Sequence, residues 1–125
     1  MATNGYIILA DGIEDNEGLA VVDLMRRAGI RITTVSIMGK KEVVTSHHIA
    51  LLADSLFDET DFSDADMLVL PGGMPGTKYL GEYEPLARLL TQFDQKGGKI
   101  GAICAAPTVL ASLGLLEGKK ATAYP

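Results

Sequence analysis

Short, unbroken apolar runs alternate along this sequence with stretches of helical period, and few folds accommodate that rhythm. Tyr6, Ile7, Ile8, Leu9 and Ala10 form the first run. A strand that is apolar on both sides belongs inside a parallel sheet, covered above and below. Asp11 and Gly12 turn the chain, after which Leu19, Val22, Met25 and Ala28 recur at helical spacing. Gly29 stands where a helix ends, after Arg26 and Arg27 at the negative end of its dipole. Residues 31–37, with Ile32, Val35 and two threonines, read as a second strand. This β-α-β opening predicts a parallel α/β fold.

The middle of the chain departs from that pattern. Gly39, Lys40 and Lys41 mark a tight turn, followed by short β-like pieces at 42–45 and 49–53, expected as an edge hairpin or small side sheet. Residues 54–66 carry six acids and little periodicity, and read as a surface loop. Residues 67–70 then form a buried strand, broken abruptly by Pro71, Gly72, Gly73, Met74, Pro75 and Gly76. Leu86, Leu89, Leu90 and Phe93 lie at i, i+3, i+4 and i+7, an amphipathic helix that Gly97 and Gly98 end. Residues 99–103 form the next strand. A helix follows Cys104, runs from Pro107 to Leu113 and is capped by Gly114, and residues 121–124 begin a last strand.

Composition narrows the function. The chain has 125 residues, the size of one domain, and its 47% hydrophobic content excludes disorder. Eleven Lys and Arg against sixteen Asp and Glu give a net charge of -5, unsuited to gripping nucleic acid or an anionic membrane. No apolar run approaches the roughly 18 residues that span a bilayer. Residues 1–5 show no basic region ahead of an apolar stretch, so no secretory signal is expected. A single cysteine excludes an internal disulfide and a multi-cysteine metal site. The expectation is a cytoplasmic protein in which the interest of Cys104 lies in its thiol.

Cys104 stands between a strand and a helix among the small residues Ala102, Ala105 and Ala106. That setting fits a nucleophile elbow, where a sharp turn pushes one side chain out at the carboxyl end of the sheet. A helix N-terminus beneath the sulfur would lower its pKa. The competing reading is a buried, inert cysteine. Glu17 lies in the loop and first helical turn after the first strand, and loops at the carboxyl ends of parallel strands converge on one crevice. A carboxyl group beside a thiolate is pushed toward its protonated form and donates a hydrogen bond to sulfur. Glu14 and Asp15 read as solvated acids that complement the helix dipole. Gly72 and Gly73 follow the 67–70 strand and allow backbone N–H groups to approach a substrate oxygen, or form a simple turn. Lys and Ser/Thr are missing at phosphate-loop spacing. His47 and His48 are adjacent, so in a strand they point to opposite faces and suit a solvent or interface role better than a metal. Ser46 and Ser112 have no placed base.

Glu17, the run Leu70 to Gly73 and the run Ala102 to Pro107 together resemble the ThiJ/PfpI family, as do the stretch from Met25 to Ile30 and the pair Tyr124 and Pro125. The resemblance runs the length of the chain. It implies a flavodoxin-like α/β three-layer sandwich with a mostly parallel sheet and a nucleophile elbow. It implies Cys104 as the oxidisable nucleophile, Glu17 as its protonated partner, and Gly72, Gly73 and Ala105 as backbone donors, with no cofactor and no metal. Family members are commonly homodimers, which directs attention to residues 14–27 and the His47–His48 hairpin as an interface. Activities across the family include glyoxalase, deglycase, protease and chaperone functions. Protease-type relatives carry His where this chain has Ala105, which argues against a peptidase. Glyoxalase relatives often carry His where this chain has Tyr124.

Two classes of function follow. One is a cofactor-free glyoxalase- or deglycase-like enzyme acting on small reactive carbonyls through a Cys104 thiohemiacetal. The other is a redox-responsive or chaperone-like stress protein in which Cys104 is oxidised to a sulfinate held by Glu17. The ThiJ/PfpI-like domain of residues 1–125 is expected to lack C-terminal strands and a helix, as a truncated or nicked chain. A separate segment of the same protein would then complete it.

Overall fold

A computed structural model describes residues 3–125. The expectation at residues 1–5 falls partly on Met1 and Ala2, which lie outside the described residues. Among those described, five parallel strands form the central sheet: β1 (Asn4–Leu9), β2 (Arg31–Ser36), β5 (Ser55–Leu56), β6 (Met67–Leu70) and β7 (Lys99–Ala102), in the order β5-β2-β1-β6-β7. Setting aside the two-residue β5, this is the flavodoxin-like order, which reverses between β1 and β6. The short strands β3 (Glu42–Val44) and β4 (Ala50–Leu52) pair antiparallel as the expected side hairpin.

The apolar run at β1 is continuous because both of its faces are covered. Tyr6, Ile8 and Ala10 join Leu68, Leu70 and Val35 on one face, under α2 (Gly76–Glu82), α3 (Glu84–Gln95) and α4 (Pro107–Ser112). Ile7 and Leu9 join Ile32, Val69 and Val43 on the other, under α1 (Asp15–Arg27). Each fully buried aliphatic side chain here contributes about 1.5–3 kcal/mol. Leu86, Leu90 and Phe93 of α3 are buried, and Leu89 packs at the margin. On α1 the buried face differs in part from the expected stripe. Val22 and Met25 of that stripe pack toward the sheet, joined by Val21 and the buried Gly18, whereas Leu19 is 44% exposed. A Cβ on Gly18 would lie 3.3 Å from Ile13 Cδ1, a tight contact.

The acidic stretch 54–66 is more than a solvated loop. It contributes the edge strand β5 and a 3-10 turn at Phe57–Glu59. Its acids accept from the sheet: Asp66 from Asn4 N at 2.8 Å, Asp54 from Thr34 N at 3.0 Å and Asp64 from Tyr6 Oη at 2.6 Å. Burial and then the Asp64 hydrogen bond push the Tyr6 hydroxyl up to about 12. These acids look unpatterned in sequence because they bond to β1 and β2 residues far along the chain rather than line a helix. Residues 121–124 are likewise not a strand; Tyr124 N donates to Cys104 O at 2.7 Å, one bond in place of a ladder. Arg26 and Arg27 find partners within the chain, Asp54 at 3.1 Å and Asp23 at 2.9 Å.

Candidate active site

In an open parallel sheet, the loops leaving the carboxyl ends of its strands form a crevice where the strand order reverses. Here the loops after β1 and β6 flank that point and dock backbone to backbone. Glu14 N donates to Gly72 O at 3.0 Å. Gly73, at φ +93°, lies so close that a Cβ would sit 2.8 Å from Ile13 C and 2.9 Å from Gly12 O. Glu14 caps α1, its Oε2 accepting from Glu17 N at 2.9 Å, so Glu17 enters the first helical turn with its side chain turned inward. Glu17 Oε1 then accepts from Gly72 N at 3.0 Å. A Cβ on Gly72 would collide with that same oxygen and lie 2.8 Å from the Cys104 Cβ. Gly72 is the floor on which the acid and the thiol meet.

Cys104 follows β7 and has φ +61°, in the left-handed region that a residue with a Cβ rarely occupies. Ile103 N still bonds Leu70 O at 3.3 Å, and Ala106 N bonds Ile103 O at 3.0 Å, so the chain turns sharply at the cysteine itself. The thiol is half-buried. Burial raises its pKa, the Glu17 charge and hydrogen bond raise it further, Glu14 adds to both, and only the Ala105 N–H lowers it. This reverses the expected lowering by a helix N-terminus. The reason is the surroundings, because burial and the neighbouring Glu17 and Glu14 outweigh the one backbone N–H that favours the thiolate.

The structure thus brings together Cys104, Glu17, Gly72 and Ala105. The N–H of Gly72 is engaged by Glu17, and Gly73 packs against the 12–14 loop. Asp15, read as a solvated acid, is buried. It accepts from Thr45 Oγ1 at 2.6 Å and meets His47 Nδ1 at 2.6 Å. The Thr45 bond, then the His47 bond, holds its carboxyl below the ordinary value, and the Asp15 bond raises His47. His47 and His48 lie in the β3–β4 turn and not in a strand, His48 at φ +65°. Ser46 Oγ is 3.5 Å from His47 Nδ1, the same nitrogen that Asp15 occupies, so no serine triad is formed. Ser112 Oγ donates to Val109 O. Glu14, Asp15 and His47 offer atoms within 4.8 Å of one another. Glu14 and Asp15 lie more than 30 residues from His47, so this grouping left no local signal.

The sequence profile of the DJ-1/PfpI family matches residues 5–125. The chain belongs to the DJ-1/PfpI family. It is 39% identical over 125 residues to protein dj-1beta of Drosophila melanogaster, covering all of this chain and 67% of the fly protein. It is 39% identical over 118 residues to the DJ-1 homolog B of Arabidopsis thaliana, covering 94% of this chain and 27% of that protein. The solved structure of Drosophila DJ-1beta superposes with a TM-score of 0.95, covering 100% of this chain and 67% of that one. Oxidized Toxoplasma gondii DJ-1 also gives 0.95, at 34% identity over 99% of this chain and 68% of that one. The chain therefore spans between about a quarter and two thirds of these relatives. Among the described residues of this DJ-1/PfpI chain, no helix is long and apolar enough to cross a membrane.

Proposed function

We propose that the protein is a cofactor-independent enzyme of small reactive carbonyls, with Cys104 as nucleophile and Glu17 as its proton partner. The observation that carries this reading is the contact of a left-handed cysteine with a carboxyl group held by the Gly72 N–H, at the reversal point of the sheet. The Cys104 proton passes to Glu17 as sulfur attacks an aldehyde carbon. The C=O electron pair moves to oxygen, which takes the proton back and closes a thiohemiacetal. For a 2-oxoaldehyde, Glu17 then moves the C–H proton to the neighbouring carbonyl carbon through an enediol, leaving a thioester. Water cleaves it to the 2-hydroxy acid and restores the thiol. Ala105 N–H, already at the sulfur, serves the developing oxyanion, with Gly73 as the second donor. Ala105 in place of a histidine argues against peptide hydrolysis.

Conversion of methylglyoxal to lactate by the wild type tests this, with a loss of about a hundredfold or more in Glu17→Gln and of all turnover in Cys104→Ser. A wild-type rate no greater than that of Cys104→Ser overturns it. A second reading, a redox-responsive stress protein, gains support from the relative solved in an oxidized form. Peroxide would then oxidise the thiolate to sulfenate and to sulfinate, each step transferring one oxygen and releasing water. Oxidation of Cys104 without carbonyl turnover distinguishes this alternative. We further propose a cytoplasmic homodimer formed through α1 and the β3–β4 hairpin, where Leu19, Leu24, Ile49 and Leu52 are exposed.

A further inference from the structure

The β3–β4 turn is fixed to the loop that carries the acids: Ser46 N donates to Ile13 O at 2.8 Å. His47 is 68% exposed, yet its Nδ1 is tethered to Asp15, whose other oxygen is held by Thr45. Glu14 stands within 4.8 Å of both Asp15 and His47. The same Glu14 also reaches the thiol side, where it bonds Glu17 N through its side chain and Gly72 O through its backbone. The ionisable groups facing His47 are thus Asp15 and Glu14, and those facing Cys104 are Glu17 and Glu14. Asp11 completes the acids of this loop and receives Val44 N of the hairpin. One acid, Glu14, is common to the histidine and the cysteine.

We propose that His47 is a positioning residue of the Cys104 site, its charge setting through the shared Glu14 how readily the thiol gives up its proton. This rests on Cys104 being a reactive thiol. When His47 is an imidazolium it offsets one of the surrounding negative charges, and thiolate formation meets less resistance. When His47 loses its proton the surroundings become more negative by one unit and the thiol holds its proton more tightly. Cys104 thiolate therefore rises less steeply with pH across the His47 titration than a lone thiol would.

The test is the rate of Cys104 alkylation by iodoacetamide, followed by mass spectrometry from about pH 5 to about pH 9. In the wild type, the rate profile is expected to inflect at the His47 titration measured by NMR. His47→Gln should slow alkylation about threefold near pH 6, the order expected for the loss of one screened charge. His47→Lys should match the wild type there and exceed it by about threefold near pH 8.5, and both differences should shrink in roughly 1 M salt. Coincident profiles for all three proteins, or a wild-type profile without the inflection, overturn the role of His47 while leaving Cys104 reactive. Absence of alkylation in the wild type overturns both this role and the reading of Cys104 on which it rests.

Discussion

At Cys104 a left-handed backbone is held by a residue that carries a Cβ, which costs about 1–2 kcal/mol relative to glycine. Cys104→Gly should therefore melt about 4 °C above Cys104→Ala, though neither reacts with thiol reagents. Equal melting temperatures would show that the turn relaxes without strain. Gly72 is the complementary case, a position where any Cβ meets both Glu17 and Cys104. Gly72→Ala is expected to lose about 1–3 kcal/mol of stability, and to quicken Cys104 modification by displacing Glu17, whose charge and hydrogen bond raise the thiol's pKa, in parallel denaturant and alkylation measurements. The candidacy of Cys104, Glu17 and Gly72 was legible because each stands just after a strand-like run. The direction of the thiol's pKa shift was not, since it depends on burial and on how closely Glu17 and Glu14 approach the sulfur.

Among the elements, α1 and the β3–β4 hairpin are joined by the Asp15–His47 pair, and the pair has its own pH window. His47 is raised above its ordinary 6.5, so its contribution is fully present below that pH and is lost as pH rises through the folded value. Asp15 is lowered below 3.8, so its contribution is present above that pH and is lost as pH falls through the folded value. The stability difference between wild type and His47→Gln should therefore be largest between about pH 4 and about pH 6.5. A difference independent of pH in urea titrations would remove the pair as its source. On the other face of the sheet, Leu86 of α3 is fully buried against the core. Leu86→Ala should cost about 2–5 kcal/mol by chemical denaturation without changing the site geometry. The helical period of α3 revealed this position directly. On α1 the period placed Val22 and Met25, while the buried Gly18 adds nothing to a hydrophobic pattern and so left no signal.

At the scale of the whole molecule, β7 pairs with β6, and its far edge has no partner among the described residues. Exposed Leu19, Leu24, Ile49 and Leu52 lie on the elements proposed for self-association. Sedimentation at micromolar concentration is expected to give a dimer, and Leu24→Lys a monomer with an unchanged fold by circular dichroism. A wild-type monomer with the complete fold would count against that interface.

The sequence by itself determined the parallel α/β class, the side hairpin, the α3 core face and the turns that present Glu17, Gly72 and Cys104. Apolar period and turn chemistry are properties of neighbours along the chain, and a chain records them locally. Tertiary structure alone decided that the acids of 54–66 bond to β1 and β2, that residues 121–124 form one hydrogen bond in place of a strand, and that Asp15 is buried against Thr45 and His47. Each of these depends on a partner 20 or more residues away. A polar side chain takes its role from the group that meets it in space, and no periodicity announces that group in advance.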